Sequence, residues 1–248
     1  MPITVKSSRE IELMTEAGRI LEIVHKELEK ALHPGMTTKA IDRLGEEIIR
    51  SYGCIPSFLD YNGYPASICV SVNDEVVHGI PSEHRIIREG DIVSLDAGVI
   101  YEGYHSDAAR TVAVGEVSEE AKLLIERTRQ SFIEGMKKAV AGNHLYDISA
   151  AIGDYANQFG YGVVEDLCGH GIGSHLHEEP EIPNFRQSRF RRGIKLKPGM
   201  TLAVEPMINV GTKDVLWMDD EWTVVTEDKS LSAHYENTIL ITDGKPEI

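Results

Sequence analysis

Apolar residues near the start of the chain recur every three or four positions, the spacing of one helical face. They are Ile11, Met14, Ile20, Leu21, Val24 and Leu28. This pattern predicts an amphipathic helix with Ser7 or Ser8 as its N-cap, because a serine oxygen accepts hydrogen bonds from the free N–H groups of the first turn. The helix should stop at His33-Pro34-Gly35, since proline and glycine both interrupt helices.

Three more helices are predicted by the same reasoning. The first has Thr37 or Thr38 as its cap and ends at Gly53. The other two are predicted over residues 121–140 and 145–159, and each is followed closely by a glycine. The sequence therefore indicates two successive helix pairs.

Two similar strands accompany these helix pairs. One runs from Gly90 through apolar residues to Asp96, and the other runs from Gly199 to Glu205. The strands are offset along the chain by nearly the same distance as the helix pairs, which favours an internal duplication. We therefore predict one domain over residues 1–248, with half-repeats of about 1–115 and 116–248. Its fold class should be α+β, with helices covering one face of a mostly antiparallel sheet.

The composition is that of an ordinary globular domain, with 42% hydrophobic and 26% charged residues among 248. A net charge of −15 argues against a nucleic-acid or anionic membrane partner, and we interpret the basic residues within 186–197 as a solvated loop. No apolar stretch is long enough for a membrane span or a signal peptide. Three scattered cysteines predict neither disulfides nor a thiolate zinc site, so we expect a reducing cytoplasm.

Two aspartates give the first indication of chemistry. If the tight turn between predicted strands 92–99 and 105–114 centres on residues 101 and 102, Asp96 and Asp107 are direct cross-strand neighbours, about 5 Å apart at Cβ. Two ionised carboxylates that close repel each other, and a cation between them removes the penalty. The alternative is that both are solvated residues at strand ends.

The second half adds further candidate ligands. His170 and His177 lie in a glycine-rich stretch that carries three histidines, and Glu205 and Glu236 lie within apolar strand-like segments that contain no lysine or arginine. Oxygen-rich ligation suits Mn²⁺, Fe²⁺ or Co²⁺ and can hold Zn²⁺. Together with the two aspartates, these residues are too many for one catalytic ion but suit two ions about 3.5 Å apart.

These residues, in this order, resemble the type I methionine aminopeptidases of the pita-bread fold. The resemblance covers essentially the whole chain, and its most specific stretch is residues 61–81. Supporting motifs are Ser94-Leu-Asp96-Ala-Gly, Ser106-Asp107-Ala-Ala-Arg-Thr, Cys168-Gly-His170-Gly-Ile-Gly, Val204-Glu205-Pro-Met and Ala233-His-Tyr-Glu236-Asn-Thr. It implies two pseudo-symmetric halves, each a helix pair and strands, around a curved, mostly antiparallel sheet.

The resemblance also implies residue roles. Asp107 and Glu236 would bridge two divalent ions (Co, Mn, Fe or Zn), Asp96 would complete one site, and His170 and Glu205 the other. The substrate contacts would come from His78 and His177 at the scissile amide and from Tyr61, Tyr64, Cys69 and Trp217 around the methionine side chain. From the sequence alone, core packing explains the three aromatic residues equally well, and an inert buried thiol explains Cys69.

Two departures from the family pattern affect the expected pocket. Ser174-His175-Leu176 precedes His177 where the family often has a glycine and an aromatic residue. Leu176 could alter the pocket wall, and His175 could be an extra surface polar group. Asp74 stands where glutamate is more usual.

The expected reaction is removal of the N-terminal methionine from nascent polypeptides and peptides with a small second residue. A metal-activated hydroxide would attack the carbonyl, Glu205 would transfer the proton, and His177 with His78 would stabilise the reacting amide. We expect a cytoplasmic monomer acting in protein maturation, with transient ribosome contact, no direct nucleic-acid binding and no membrane association.

Three other functions are alternatives to this one. An Xaa-Pro aminopeptidase or prolidase shares the metal chemistry but usually has an extra N-terminal domain. A non-enzymatic binding module of the same fold typically loses metal ligands, whereas all five positions are retained here. A serine hydrolase is set aside because the sequence has no GxSxG elbow.

Overall fold

The computed structural model describes residues 3–188 and 190–248, so Arg189 of the basic loop lies outside it. Its α-helices are α1 (Ser8–Ala31), α2 (Thr38–Ser51), α3 (Glu119–Met136) and α4 (Leu145–Asn157). The side chains of Ser7 and Thr37 cap α1 and α2 as predicted. The predicted α3 was too long. The N–H groups of Lys138 and Ala139 each donate to the carbonyl three residues earlier, so the α-helical pattern ends before Gly142.

The strands are short apart from one central hairpin. They are β1 (Ile55–Pro56), β2 (Ile68–Val72), β3 (Glu75–Val77), β4 (Ile92–Tyr101), β5 (Tyr104–Ala113), β6 (Gly162–Val163), β7 (Gly169–Gly171), β8 (Glu178–Ile182), β9 (Thr201–Val204), β10 (Met207–Asn209), β11 (Val215–Trp217), β12 (Val224–Thr226), β13 (Ser232–His234) and β14 (Glu236–Leu240). All of their pairings are antiparallel. A 3₁₀ turn covers Tyr61–Gly63. The predicted α+β class is confirmed.

The main sheet has the order β1-β4-β5-β14-β9-β7-β8, and β2 also pairs with β4. This order is symmetrical about the β5–β14 pair, since β4 and β9 flank it and β2 and β7 pair with those two strands. Each half has its own apolar core: α1 and α2 pack on β2 and β4, and α3 and α4 pack on β9 and β14. The duplication into half-repeats stays our proposal, and this symmetry supports it.

The register of the β4–β5 hairpin corrects one prediction. Gly98, not Asp96, pairs with Asp107, and Asp96 pairs with Ala109. The reason is the turn: Glu102 and Gly103 both have positive φ, 47° and 86°, which a two-residue type I′ loop requires at its central positions. The predicted turn centre was therefore one position too early. The two aspartates lie two residues apart in register, on the same face of the sheet.

Within the described residues, none of the helices is both long and apolar enough to cross a lipid bilayer.

Candidate metal centre

Five successive strands of the main sheet each bring one predicted ligand to the middle of the sheet. Asp96 lies on β4, Asp107 on β5, Glu236 on β14 and His170 on β7, while Glu205 directly follows β9. The spatial order β4-β5-β14-β9-β7 therefore juxtaposes residues that are far apart in the chain. The structure brings together all five side chains for which we predicted a metal role.

The distances between these side chains are those of a small cage. His170 Nε2 lies 4.0 Å from Asp107 Oδ2 and 3.7 Å from Glu205 Oε1. One ligand atom each from Asp107, His170 and Glu236 lies within 4.8 Å of the others. Asp96, Asp107, His170 and Glu236 are buried, and the Glu205 side chain is only 14% exposed. A group of acids this dense and this buried requires a compensating partner.

The carboxylates have no such partner in the part of the chain that the structure describes. Asp96 Oδ1, Asp107 Oδ1 and Glu236 Oε1 are buried oxygens without a hydrogen-bond donor. No lysine or arginine in that part forms an ion pair with any of the four acids. Unpaired buried oxygens beside an imidazole nitrogen are the donor set that divalent transition metals bind, so these residues fit such ions.

The electrostatics point the same way. Burial raises the pKa of Asp96 to about 7. Burial and then repulsion from neighbouring carboxylates, Asp96 and Glu205 among them, raise the pKa of Asp107 and of Glu236 well above the usual range. Burial lowers the pKa of His170 to about 3, so its ring is neutral. Its Nδ1 lies 2.8 Å from the Gly171 carbonyl and can donate there, which leaves the Nε2 lone pair for a metal.

Two further histidines lie beside this centre. The His177 ring centroid is 4.1 Å from that of His170, and its Nδ1 lies 2.8 Å from the Tyr61 hydroxyl. His78 follows β3 and has a φ of 59°, a left-handed conformation that non-glycine residues adopt only where the surroundings hold them there. Burial lowers the pKa of His78 to about 4. Burial also lowers the pKa of His177, so both rings are mostly neutral at pH 7 and can serve as hydrogen-bonding groups.

An apolar cluster lies next to the histidines. Its buried members include Tyr64, Cys69 and Leu176, and Tyr61 and Trp222 pack against it. Cys69 pairs in register with Asp96, one of the predicted ligands, and burial raises its thiol pKa well above the ordinary value, so the group is a neutral thiol. The cluster includes the predicted Tyr61, Tyr64 and Cys69, together with Leu176, the departure from the family pattern. His175 is exposed, as expected for a surface group.

Trp217 is the predicted residue that the structure does not bring to this cluster. It lies on β11 with 51% of its surface exposed. Trp222 takes the expected place: its ring centroid is 5.1 Å from that of Tyr64 and 6.4 Å from that of His78. The prediction of Trp217 was wrong because local sequence does not determine which tryptophan of the 217–222 segment folds back towards β3.

His234 was also missed by the sequence reasoning. It is 2% exposed, and neither ring nitrogen has a hydrogen-bond partner among the described residues. Its Nε2 lies 3.7 Å from Glu205 Oε2 and 3.9 Å from Glu236 Oε2. Its position two residues before Glu236 could have identified it, since alternate residues of extended chain share a face.

Comparisons with known proteins agree with this geometry. The model of metallopeptidase family M24 matches residues 12–243. A methionine aminopeptidase of Clostridium acetobutylicum is 56% identical over 246 residues, which cover 99% of this chain and 98% of that protein. The crystal structure of a methionine aminopeptidase from Thermotoga maritima is similar with a TM-score of 0.97 and 42% identity, covering 100% of this chain and 98% of that one.

A more distant likeness concerns the fold alone. The crystal structure of an X-Pro aminopeptidase from Thermotoga maritima is similar with a TM-score of 0.77 and 24% identity. It covers 98% of this chain, but this chain covers only 61% of it. The predicted pita-bread architecture is confirmed by these neighbours, and the full-length matches are to methionine aminopeptidases.

Proposed function

Because this chain belongs to metallopeptidase family M24, and to its methionine aminopeptidases, we propose that it hydrolyses the N-terminal methionine from nascent polypeptides and peptides whose second residue is small. The observation that supports this most directly is the convergence of four acids and His170 on adjacent strands, with buried oxygens that have no other partner. A metal-dependent hydrolase needs such a cage beside a substrate pocket.

The resident cofactor is two divalent ions, held by Asp96, Asp107, His170, Glu205 and Glu236. Asp107 and Glu236 would be the ligands shared by both ions, as the family resemblance implies, and each is buried with an oxygen that lacks a donor among the described residues. When bound, such ions lower the pKa of water to about 7 and polarise a carbonyl group. The donor set accommodates Mn²⁺, Fe²⁺, Co²⁺ or Zn²⁺.

Glu205 is the residue that moves the proton. It is the most exposed of the four acids, at 14% of its side chain, so it lies nearest the substrate space. Its Oε1 faces His170 and its Oε2 faces His234, each at 3.7 Å. Glu205 can accept a proton from the attacking water and then deliver it to the leaving amine. His234 is neutral, since burial lowers its pKa to about 3, and its Nε2 lies beside Glu205 Oε2 but beyond hydrogen-bond distance.

His177 and His78 act on the scissile amide. If the Tyr61 hydroxyl donates to His177 Nδ1, the proton of that ring is on Nε2, where it can be donated to a carbonyl oxygen. His78 stands across the site beside Trp222. Hydrogen bonds that strengthen as charge develops on the carbonyl oxygen lower the barrier.

The methionine side chain occupies the apolar cluster of Tyr61, Tyr64, Cys69 and Trp222, where Trp222 replaces the predicted Trp217. A neutral thiol and aromatic faces are favourable neighbours for a thioether. Leu176 lies in the same cluster and leaves more room than an aromatic side chain would. A cytoplasmic location and transient ribosome contact follow from a nascent-chain substrate and, like the monomeric state, stay predictions.

The test is activity after metal exchange. Protein freed of metal with a chelator and reconstituted separately with Fe²⁺, Mn²⁺, Co²⁺ and Zn²⁺ should release methionine from Met-Ala-Ser with at least one of them. It should not cleave Ala-Pro peptides, which an Xaa-Pro peptidase would prefer. If no metal restores release, or if two equivalents of metal are not bound by calorimetry, the assignment is wrong.

A further inference from the structure

The hairpin of β11 and β12 exposes three large apolar residues in succession. Leu216, Trp217 and Met218 are 49%, 51% and 49% exposed. Single exposed apolar residues are common on protein surfaces, but a consecutive run of this size marks an interaction site. The site chemistry described above does not use these side chains.

The backbone of β11 is also open for pairing. The three-stranded sheet has the order β11-β12-β3, which makes β11 an edge strand. Met218 N–H donates to the Thr223 carbonyl and Glu227 N–H donates to the Asp214 carbonyl. The backbone N–H and C=O groups of the even-numbered residues of β11 therefore point towards β12. The N–H and C=O groups of Val215 and Trp217 therefore point outward, where no backbone partner is found for them within residues 3–188 and 190–248.

The turn of the hairpin that carries this edge lies beside the proposed active site. Trp222, in the turn of the same hairpin, packs on Tyr64 and on His78. On the other side of the hairpin, Val224 of β12 pairs with Val77 of β3, the residue directly before His78. The turn thus lies near the place where the first residue of a substrate would lie, and β11 runs away from that turn.

We propose that β11 binds the substrate polypeptide downstream of its second residue, as an added β-strand. This rests on the proposed function, which supplies an extended chain fixed at one end in the site. The outward groups of Val215 and Trp217 pair with the backbone of the substrate, and Leu216, Trp217 and Met218 contact its apolar side chains. Exposed Asp219 and Glu221 at the turn favour neutral or basic over acidic substrate residues.

The experiment compares a short and a long substrate. Met-Ala-Ser offers β11 at most its last residue, whereas Met-Ala-Ser-Val-Thr-Val-Lys-Val can reach along it. We expect kcat/KM for the octapeptide to exceed that for the tripeptide about tenfold, the effect of one well-packed aromatic contact. In Leu216→Ser and in Trp217→Ser this ratio should fall towards one through the octapeptide KM. Leu123→Ser removes a similarly exposed side chain, 43% exposed, on α3 and should keep the ratio.

Backbone pairing is tested separately with N-methylated octapeptides. Methylation at successive positions should weaken cleavage with a period of two, because only alternate N–H groups face β11. A wild-type ratio near one, or a ratio unchanged in both hairpin variants, overturns the proposal. So does light scattering that shows a wild-type dimer and a Trp217→Ser monomer, since the edge then binds a second copy of the chain.

Failure of the proposed function has a different outcome. In that case no methionine is released from the tripeptide. Binding to β11 is then measured by fluorescence anisotropy of a labelled octapeptide. A Kd about tenfold weaker in Trp217→Ser than in Leu123→Ser would support the surface without the reaction. Equal Kd values in the two variants would reject it.

Discussion

The Nε2 atom of His234 lies 3.7 Å from Oε2 of Glu205, while the other oxygen of that carboxylate lies 3.7 Å from Nε2 of His170. The Glu205 carboxylate thus lies between two imidazoles. His170 is placed to bind metal, and His234 is buried with no hydrogen-bond partner for its ring nitrogens among the described residues. A carboxylate with a neutral imidazole beside each oxygen is suited to a group that must gain and lose a proton in one position.

Glu205→Gln should lower kcat by a factor of about 10²–10⁴ while the fold is kept, because the amide cannot accept the proton. Methionine release from Met-Ala-Ser measures the loss, and circular dichroism with thermal melting checks the fold. Activity within a few fold of wild type would contradict the role of Glu205.

His234→Leu should weaken Mn²⁺ binding about 10–100-fold, the usual effect of removing a group that orients metal ligands. His234→Gln restores an N–H donor and should recover most of the affinity. Calorimetric titration of metal-free protein gives both values. Equal affinities in wild type and His234→Leu would show that His234 only fills space.

Metal binding should weaken as the pH falls below about 7. Burial raises the pKa of Asp96 to about 7, and the pKa values of Asp107, Glu205 and Glu236 are raised as well, so the metal-free site holds protons at pH 6. A metal ion binds ionised carboxylates and therefore displaces those protons. Each displaced proton lowers the metal affinity about tenfold for every pH unit of acidification.

Calorimetry in buffers of different ionisation enthalpy measures this release directly. More protons should be released at pH 6 than at pH 8. His170 releases none at either pH, because burial lowers its pKa to about 3. Equal release at both pH values would contradict the expected linkage.

Trp222→Leu should raise the KM for Met-Ala-Ser about 10-fold or more, since the indole packs on Tyr64 and His78 beside the proposed methionine pocket. Phe159→Leu is the matched control, because Phe159 is a half-exposed aromatic residue beyond the end of α4. If both variants have the KM of the wild type, the pocket lies elsewhere.

Lys6→Met should lower the free energy of unfolding by about 3–5 kcal/mol, as expected when one partner of a buried ion pair is removed. Lys6 Nζ lies 2.7 Å from Glu178 Oε2, and the two side chains are 4% and 5% exposed. Adding Glu178→Gln removes the uncompensated charge and should recover part of the loss. Urea unfolding measures both. A Lys6→Met loss below about 1 kcal/mol would show that the pair is not important for stability.

Much of this fold could be predicted from local patterns. Helix positions followed from apolar periodicity and the caps Ser7 and Thr37, which act within a few residues. The proposed ligand set could be drawn from the sequence because a glutamate within an apolar strand, such as Glu205, is costly to bury without a cation beside it. Both kinds of inference depend on one segment at a time.

The errors came from relations between segments. The β4–β5 register depended on whether Tyr101 or Gly103 lay within the turn, and positive φ at Glu102 and Gly103 decided it. Which tryptophan packs on His78 depended on the pairing of β12 with β3. Neither the reach of a side chain nor strand pairing can be read from the spacing of residues along the chain.

The seam between β5 and β14 has an evolutionary consequence. Among the described residues, Glu236 with Ala109 and Asn237 with Ala108 are the two pairs across it. The proposed ligands lie on both sides, with Asp96 and Asp107 from one half and the others from the second. Under the duplication that we propose, an ancestral polypeptide of half this length carried only part of this set of ligands. Two identical copies would then have had to associate before a complete set of ligands could form, and fusion of the two genes would have allowed each half to diverge separately.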